Sequence, residues 1–216
     1  MSISENIRQI RQTLPTAVRL ICVSKYHTAE DIMEAYEAGE RDFAESRAQE
    51  LEVKATTLPQ DIHWHFIGHL QRNKAKTVCR YADMIQSVDS LRLMETINAV
   101  TDKPVDILLE VHVAKETSKT GFSPDELVEL LSSTDVSRFD KIRIRGLMAM
   151  ATRTDDEQEI RQEFRTARQL FDLLKSRFFT SDAGFDTLSM GMSDDYSVAV
   201  EEGSTMVRIG SRIFSE

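Results

Sequence analysis

The sequence predicts an α/β protein, folded as one closed (β/α)8 TIM barrel, and three observations carry that reading. Eight short apolar runs recur along the chain, with stretches of helical periodicity between them. Strict alternation of strand and helix requires parallel strands whose faces are covered by helices. The first run is followed by Ser24-Lys25-Tyr26-His27-Thr28, without the glycine-rich turn usual after the first strand of an open, doubly wound sheet. The barrel is therefore favoured over that sheet, although the chain is short for one and no helix is predicted after the last strand. An N-terminal helix can cover the gap.

Each element has its own local signal. A capped helix is expected from about Ser4 to Thr13. Leu20-Ile21-Cys22-Val23 is the apolar centre of a strand near Val18–Ser24. Thr28 then suits an N-cap, Glu30 and Asp31 occupy the first turn, and Gly39 closes a helix over 29–38. Further strands are expected near Asp42–Glu45, His63–Ile67, Met84–Val88, Val105–Val113, Ile142–Met148, Thr187–Met190 and Met206–Ile209. Helices are expected near 46–57, 71–81, 90–100, 124–133, 156–178 and 194–202. Ser123-Pro124-Asp125-Glu126 is the plainest opening, with proline at the first helical position. With four prolines, no repeats and no low-complexity run, no linker divides the chain, and residues 1–216 are expected to form a single domain.

Composition excludes several classes of function. Of 216 residues, 41% are hydrophobic, enough for a sizeable core, and the net charge is −9. An acidic chain is a poor partner for nucleic acid or an anionic membrane, both of which reward a basic face. The start, MSISENIRQIRQ, lacks the apolar centre of a signal peptide, and no run is long enough to span a bilayer. Cys22 and Cys79 match no metal or redox spacing and read as buried free thiols. The expectation is a soluble, cytoplasmic monomer.

Chemistry enters at the ends of the strands. Active sites of (β/α)8 barrels gather where the strands end, and Lys25 stands at the end of the first. A lysine beside an apolar core loses hydration, which favours the neutral amine, the form that attacks an aldehyde or ketone. A lysine reaching out to solvent is the plainer alternative. The other end of the chain adds a second feature. Gly191-Met192-Ser193 follows the seventh strand and Gly210-Ser211 the eighth, the two loops that recurrently bind phosphate in this fold. Glycines let backbone amides approach an anion, and Ser193 adds a hydroxyl. Asp194 and Asp195 would repel an anion and are expected to face a helix dipole and solvent. A carbonyl-capturing lysine opposite a phosphate cradle suggests pyridoxal 5′-phosphate.

Separated blocks over nearly the whole length strengthen that suggestion: Ala17 to Lys25, WHFIGHLQRNK (64–74), SKTGF (118–122), RGLMAM (145–150) and LSMGMSDDYSVAVEEGSTMVRIGSRIF (188–214). Through them the chain resembles the YggS/PROSC family of pyridoxal-phosphate-binding, vitamin B6 homeostasis proteins. The resemblance implies a barrel like the N-terminal domain of alanine racemase, with the cofactor held as a Schiff base on Lys25. It implies that Ser193 and the amides of Gly210 and Ser211 hold the phosphate, and that Arg208 reaches the pyridine nitrogen or the phosphate edge. It further implies a cofactor carrier, possible donor to apo-enzymes, with no catalytic residues and no catalytic activity. An always-charged arginine at the pyridine nitrogen disfavours its protonation and weakens the ring as an electron sink.

The chain departs from the family pattern in places. The second strand ends Phe43-Ala44-Glu45-Ser46 where the family has Phe-Gly-Glu-Asn, so Ser46 replaces a polar contact with shorter reach. Ser211 stands where threonine is usual, and the chain stops at Glu216 without the customary longer tail. His63 and His65 share a strand face and superficially suggest a metal pair, but no carboxylate motif accompanies them, so no metal is expected. His65 is read instead as lining the barrel mouth. QRNKAK (71–76) reads as a solvated basic helix face, with docking of an acidic partner as the alternative. Met148 and Met150 read as core, with Met148 close enough to touch the cofactor ring. Two competing functions remain. A racemase-like enzyme would need the second, β-rich domain, for which no residues are expected past the barrel; a cofactor-free Schiff-base lyase would use Lys25 on a sugar phosphate.

Overall fold

The computed structural model describes residues 2–114 and 120–214. Its eight strands close into a parallel barrel in sequence order, β1 pairing with both β2 and β8. The strands are β1 (Arg19–Val23), β2 (Asp42–Glu45), β3 (His63–Phe66), β4 (Met84–Val88), β5 (Val105–Val111), β6 (Ile142–Ala149), β7 (Thr187–Ser189) and β8 (Met206–Ile209). Between them lie α2 (Ala29–Glu37), α3 (Ala48–Thr57), α4 (Ala75–Tyr81), α5 (Leu91–Val100), α6 (Pro124–Ser133), α7 (Glu157–Phe178) and α8 (Tyr196–Glu201). An N-terminal α1 (Ile3–Thr13) precedes β1.

Local chemistry sets the helix starts. Thr28 and Asp31 form a reciprocal cap on α2, at 3.2 and 3.0 Å, and Ser123 and Glu126 do the same on α6, where Pro124 is the first residue. Alternation along each strand then separates two apolar regions. Outward residues such as Leu20, Cys22, Phe43, Trp64 and Leu109 pack under the helices. Inward residues Ile21, Val23, Ala44, Met84, Leu108, Met148 and Met206 fill the barrel. Three of these seven are methionines, flexible enough to pack around the polar groups that share the interior. Cys22 and Cys79 are buried free thiols, and burial pushes Cys79 up to about 12.

Three expectations need correction. The strand expected to reach Val113 ends at Val111, which Phe122 meets in a single parallel bridge: Phe122 N donates to Glu110 O, and His112 N to Phe122 O, both at 2.8 Å. The basic stretch expected as helix from residue 71 begins as one 3-10 turn over Arg72–Lys74 before α4. A short helix that the sequence did not announce, α9 (Ser211–Phe214), follows β8. It meets α1 through Asn6 Nδ2, which donates to Ile213 O at 3.0 Å. The gap after the last strand is therefore closed by α1 and α9 together. Ser118 and Lys119 of the SKTGF block, with Ser215 and Glu216, lie outside the described residues. Among those described, no helix is long and apolar enough to cross a membrane.

Candidate functional site

Ile21 and Val23 face inward on β1, and Lys25 follows two residues past Val23, in the turn at the C-terminal end of that strand. Lys25 is half-buried rather than enclosed. The turn that carries it is held from three sides. Tyr26 takes a left-handed conformation, φ +71°, and its ring stands 67% exposed, with Lys25 Nζ 5.8 Å and the Arg47 guanidinium 5.1 Å from its centre. His27 stacks on Phe214 of α9, ring centres 4.5 Å apart. Beneath the turn, Lys54 Nζ donates to Ser24 O at 2.9 Å and to Glu45 Oε1 at 2.7 Å, while Ser24 Oγ donates to the same carboxylate oxygen at 2.7 Å. Glu45 is fully buried, burial pushes its pKa up, and its Oε2 has no hydrogen-bond partner among the described residues.

The loops after β7 and β8 converge beside this turn. Ser193 is buried between them, its Oγ 3.4 Å from Gly210 N and 3.5 Å from Arg212 N. A Cβ at Gly210 would lie 3.1 Å from Val23 O, so this glycine permits the close approach of the β8 loop to the end of β1. At Gly191, φ is +96° and a Cβ would lie 2.6 Å from the Ala199 methyl, which binds α8 directly to the loop. Asp194 is exposed as expected, but Asp195 is not. Its buried carboxylate turns back to accept from Met192 N at 2.5 Å, and burial raises its pKa.

Arg208 points inward from β8 and is 4% exposed. Its Nη1 donates to Ser189 Oγ at 2.6 Å and its Nη2 to Ala149 O at 3.0 Å. Burial pulls its pKa down to about 10, against the pull of Asp195 and Glu110, so it remains a cation at neutral pH. Glu110, buried at the end of β5, accepts from Thr120 Oγ1 at 2.9 Å, and burial raises its pKa.

The remaining candidates divide. Met148 is buried in the interior cluster as expected, with Met150 packed against it. Ser46 is half-buried and lines a groove of about 190 Å3 with Arg47, Phe66, His69, Gln71 and Lys74. His65 does not line the mouth. It stands in register with Met84, the first residue of β4, and is buried inside the barrel, its Nε2 3.2 Å from Asp42 Oδ1. His63 is exposed on the same strand. Among the described residues no group of three or more His, Cys, Asp or Glu is placed to hold a metal. The Glu45–Lys54 clamp went unread in the sequence, although a lysine in the buried stripe Ala48, Leu51, Lys54 was a usable signal.

The donors present suit a phosphorylated aldehyde: one hydroxyl and converging amides for the phosphate, a fixed cation, and an amine on the turn after β1. Comparison with known proteins places the chain. The family model for the alanine racemase N-terminal domain matches residues 1–216. A pyridoxal phosphate homeostasis protein of Pasteurella multocida is 37% identical, over 99% of this chain and 97% of its own. That of Escherichia coli strain K12 is 36% identical over 98% and 95%. The PLP-bound structure of PipY from Synechococcus elongatus PCC7942 superposes with a TM-score of 0.89, at 36% identity over 99% of this chain and all of that one. The chain therefore belongs to the pyridoxal phosphate homeostasis (YggS/PROSC) family and carries its alanine racemase N-terminal-type barrel.

Proposed function

We propose that this protein binds pyridoxal 5′-phosphate at the barrel mouth, holds it covalently but reversibly on Lys25, and serves vitamin B6 homeostasis as a carrier rather than as an enzyme. The observation that carries the reading is the convergence of the β1 turn and the β7 and β8 loops on one mouth, with Ser193 bridging the latter two. Ser193 and the amides of Gly210 and Ser211 would hold the phosphate, and Arg208 would meet the ring edge. When bound, the cofactor supplies an aldehyde that an amine captures with loss of water. Lys25 provides that amine from a turn that stays open to solvent, so an incoming amine from an apo-enzyme has a path to displace it. Arg208, charged at neutral pH, keeps its proton and would disfavour a protonated pyridine nitrogen, which weakens the ring as an electron sink for amino-acid chemistry. The relatives support the same cofactor: one is a pyridoxal phosphate homeostasis protein, and PipY was solved with PLP bound.

The phosphate cradle gives a direct test. Charge-assisted hydrogen bonds are worth about 1.5–3 kcal/mol each, so unphosphorylated pyridoxal should bind at least about tenfold more weakly than pyridoxal phosphate. Equal affinities, measured by absorbance titration, would displace the cradle from these loops. Amino-acid racemase or transaminase turnover that disappears in Lys25→Ala would replace the carrier reading by an enzyme.

A further inference from the structure

A file of polar side chains crosses the barrel interior beneath the proposed cofactor site. Arg208 Nη1 donates to Ser189 Oγ at 2.6 Å, and Ser189 Oγ donates to Gln86 Oε1 at 2.7 Å. Gln86 Nε2 lies 3.0 Å from His65 Nδ1, and His65 Nε2 lies 3.2 Å from Asp42 Oδ1. Arg208, Ser189, Gln86 and His65 are all buried, and Asp42 meets Arg19 at the opposite end of the barrel, at 2.7 Å. The cofactor reading uses only the first of the five.

The donors and acceptors fit in one direction. A guanidinium only donates, so Ser189 accepts from it and gives its own proton to Gln86. Gln86 then turns its carbonyl to Ser189 and its NH2 to His65. His65 Nδ1 is thereby the acceptor, Nε2 carries the proton, and that proton points at the Asp42 carboxylate. Reversing the amide would aim two donors at Ser189 Oγ and strand the hydroxyl proton. It would also require an imidazolium at His65, whose burial disfavours the charge.

We propose that Ser189, Gln86 and neutral, Nε2-protonated His65 are positioning residues for Arg208, forming a one-way relay from guanidinium to the Asp42 carboxylate. Oriented hydrogen bonds polarise one another, so the relay both fixes the guanidinium plane and supports its charge. The Ala149 carbonyl holds the second nitrogen of that plane. The consequence for the cofactor rests on the reading above; the relay itself belongs to the apo-protein.

The first test therefore uses apo-protein. Nitrogen-15 spectra of the His65 ring at neutral pH should show protonated Nε2 and bare Nδ1. An Nδ1–H tautomer or an imidazolium would overturn the relay, whatever the cofactor does. In holo-protein, Ser189→Ala removes the side-chain acceptor of Arg208. Affinity for pyridoxal phosphate should fall about tenfold and the visible band of the bound cofactor should shift. Ser189→Thr should restore both. Gln86→Met, which keeps the volume and leaves the Ser189 hydroxyl without its acceptor, should shift the band in the same sense. An unmoved band in both Ser189→Ala and Gln86→Met would overturn the positioning role. Failure of the wild-type protein to bind the cofactor would sink only the reading on which the consequence rests.

Discussion

Gly191 shows how much one backbone position carries at this site. A left-handed backbone costs a residue with a side chain about 1–2 kcal/mol, and overpacking adds about 1–3 kcal/mol. Gly191→Ala meets both, since its new methyl would lie 2.6 Å from that of Ala199. The expected loss is about 2–5 kcal/mol in urea denaturation, with weaker phosphate binding as Ser193 moves with the loop; an unchanged midpoint would contradict this packing. Asp42 makes a pH-dependent contribution of similar size. Burial opposes its ionisation, but the hydrogen bonds from His65 and Arg19, with the Arg19 charge, outweigh that and hold its pKa at about 2 instead of 3.8. A folded carboxyl pKa below the unfolded one stabilises above the unfolded value, and that stability is lost as pH falls through about 4 to about 2. The loss is about 2 kcal/mol. His65, pushed below 6.5 by burial, acts in the same sense, since unfolding in acid lets it take up a proton. The stability gap between wild type and Asp42→Asn should therefore shrink by about 2 kcal/mol between pH 5 and pH 2. A constant gap over that range would remove Asp42 from the acid limb.

At the scale of elements, the turn bearing Lys25 is held by α3 and α9 as much as by β1. Lys54 on α3 joins the Glu45 carboxylate to Ser24 O, and His27 stacks on Phe214 of α9. Removing one partner of a buried ion pair strands the other, at a cost of about 3–5 kcal/mol, whereas replacing both with apolar groups is often neutral. Lys54→Met alone should be strongly destabilising, and increasingly so as pH rises through the titration of Glu45, whose pKa burial already raises. The double variant Glu45→Leu/Lys54→Met should recover most of the loss in chemical denaturation. Equal losses in single and double variants would mean that packing, not charge, is what Lys54 supplies. Strands and long helices were legible in the sequence because their periodicity spans several residues, and the structure keeps each within two positions apart from the start of α4. The four residues of α9 are too few to show a period. The clamp was missed because Glu45 and Lys54 sit on different elements, nine residues apart.

For the whole molecule, closure of the barrel brings residues from the two ends of the chain to one mouth. Lys25 and the Ser193 and Gly210 loops were legible because the fold predicts function at strand ends, and the family resemblance named the same positions. His65 was misplaced because a histidine near a strand end reads alike whether it faces the mouth or the middle of the barrel. Gln86 and Ser189 carried no signal at all, since inward polar residues on separate strands become a chain only when the sheet closes. That the open mouth of this closed barrel presents Lys25 to pyridoxal phosphate can be tested by reducing the loaded protein with borohydride and mapping its peptides. One pyridoxyl adduct is expected, on Lys25, with a stably folded Lys25→Ala that no longer takes on the yellow colour. An adduct on Lys74, Lys119 or any other lysine, with Lys25 unmodified, would contradict it.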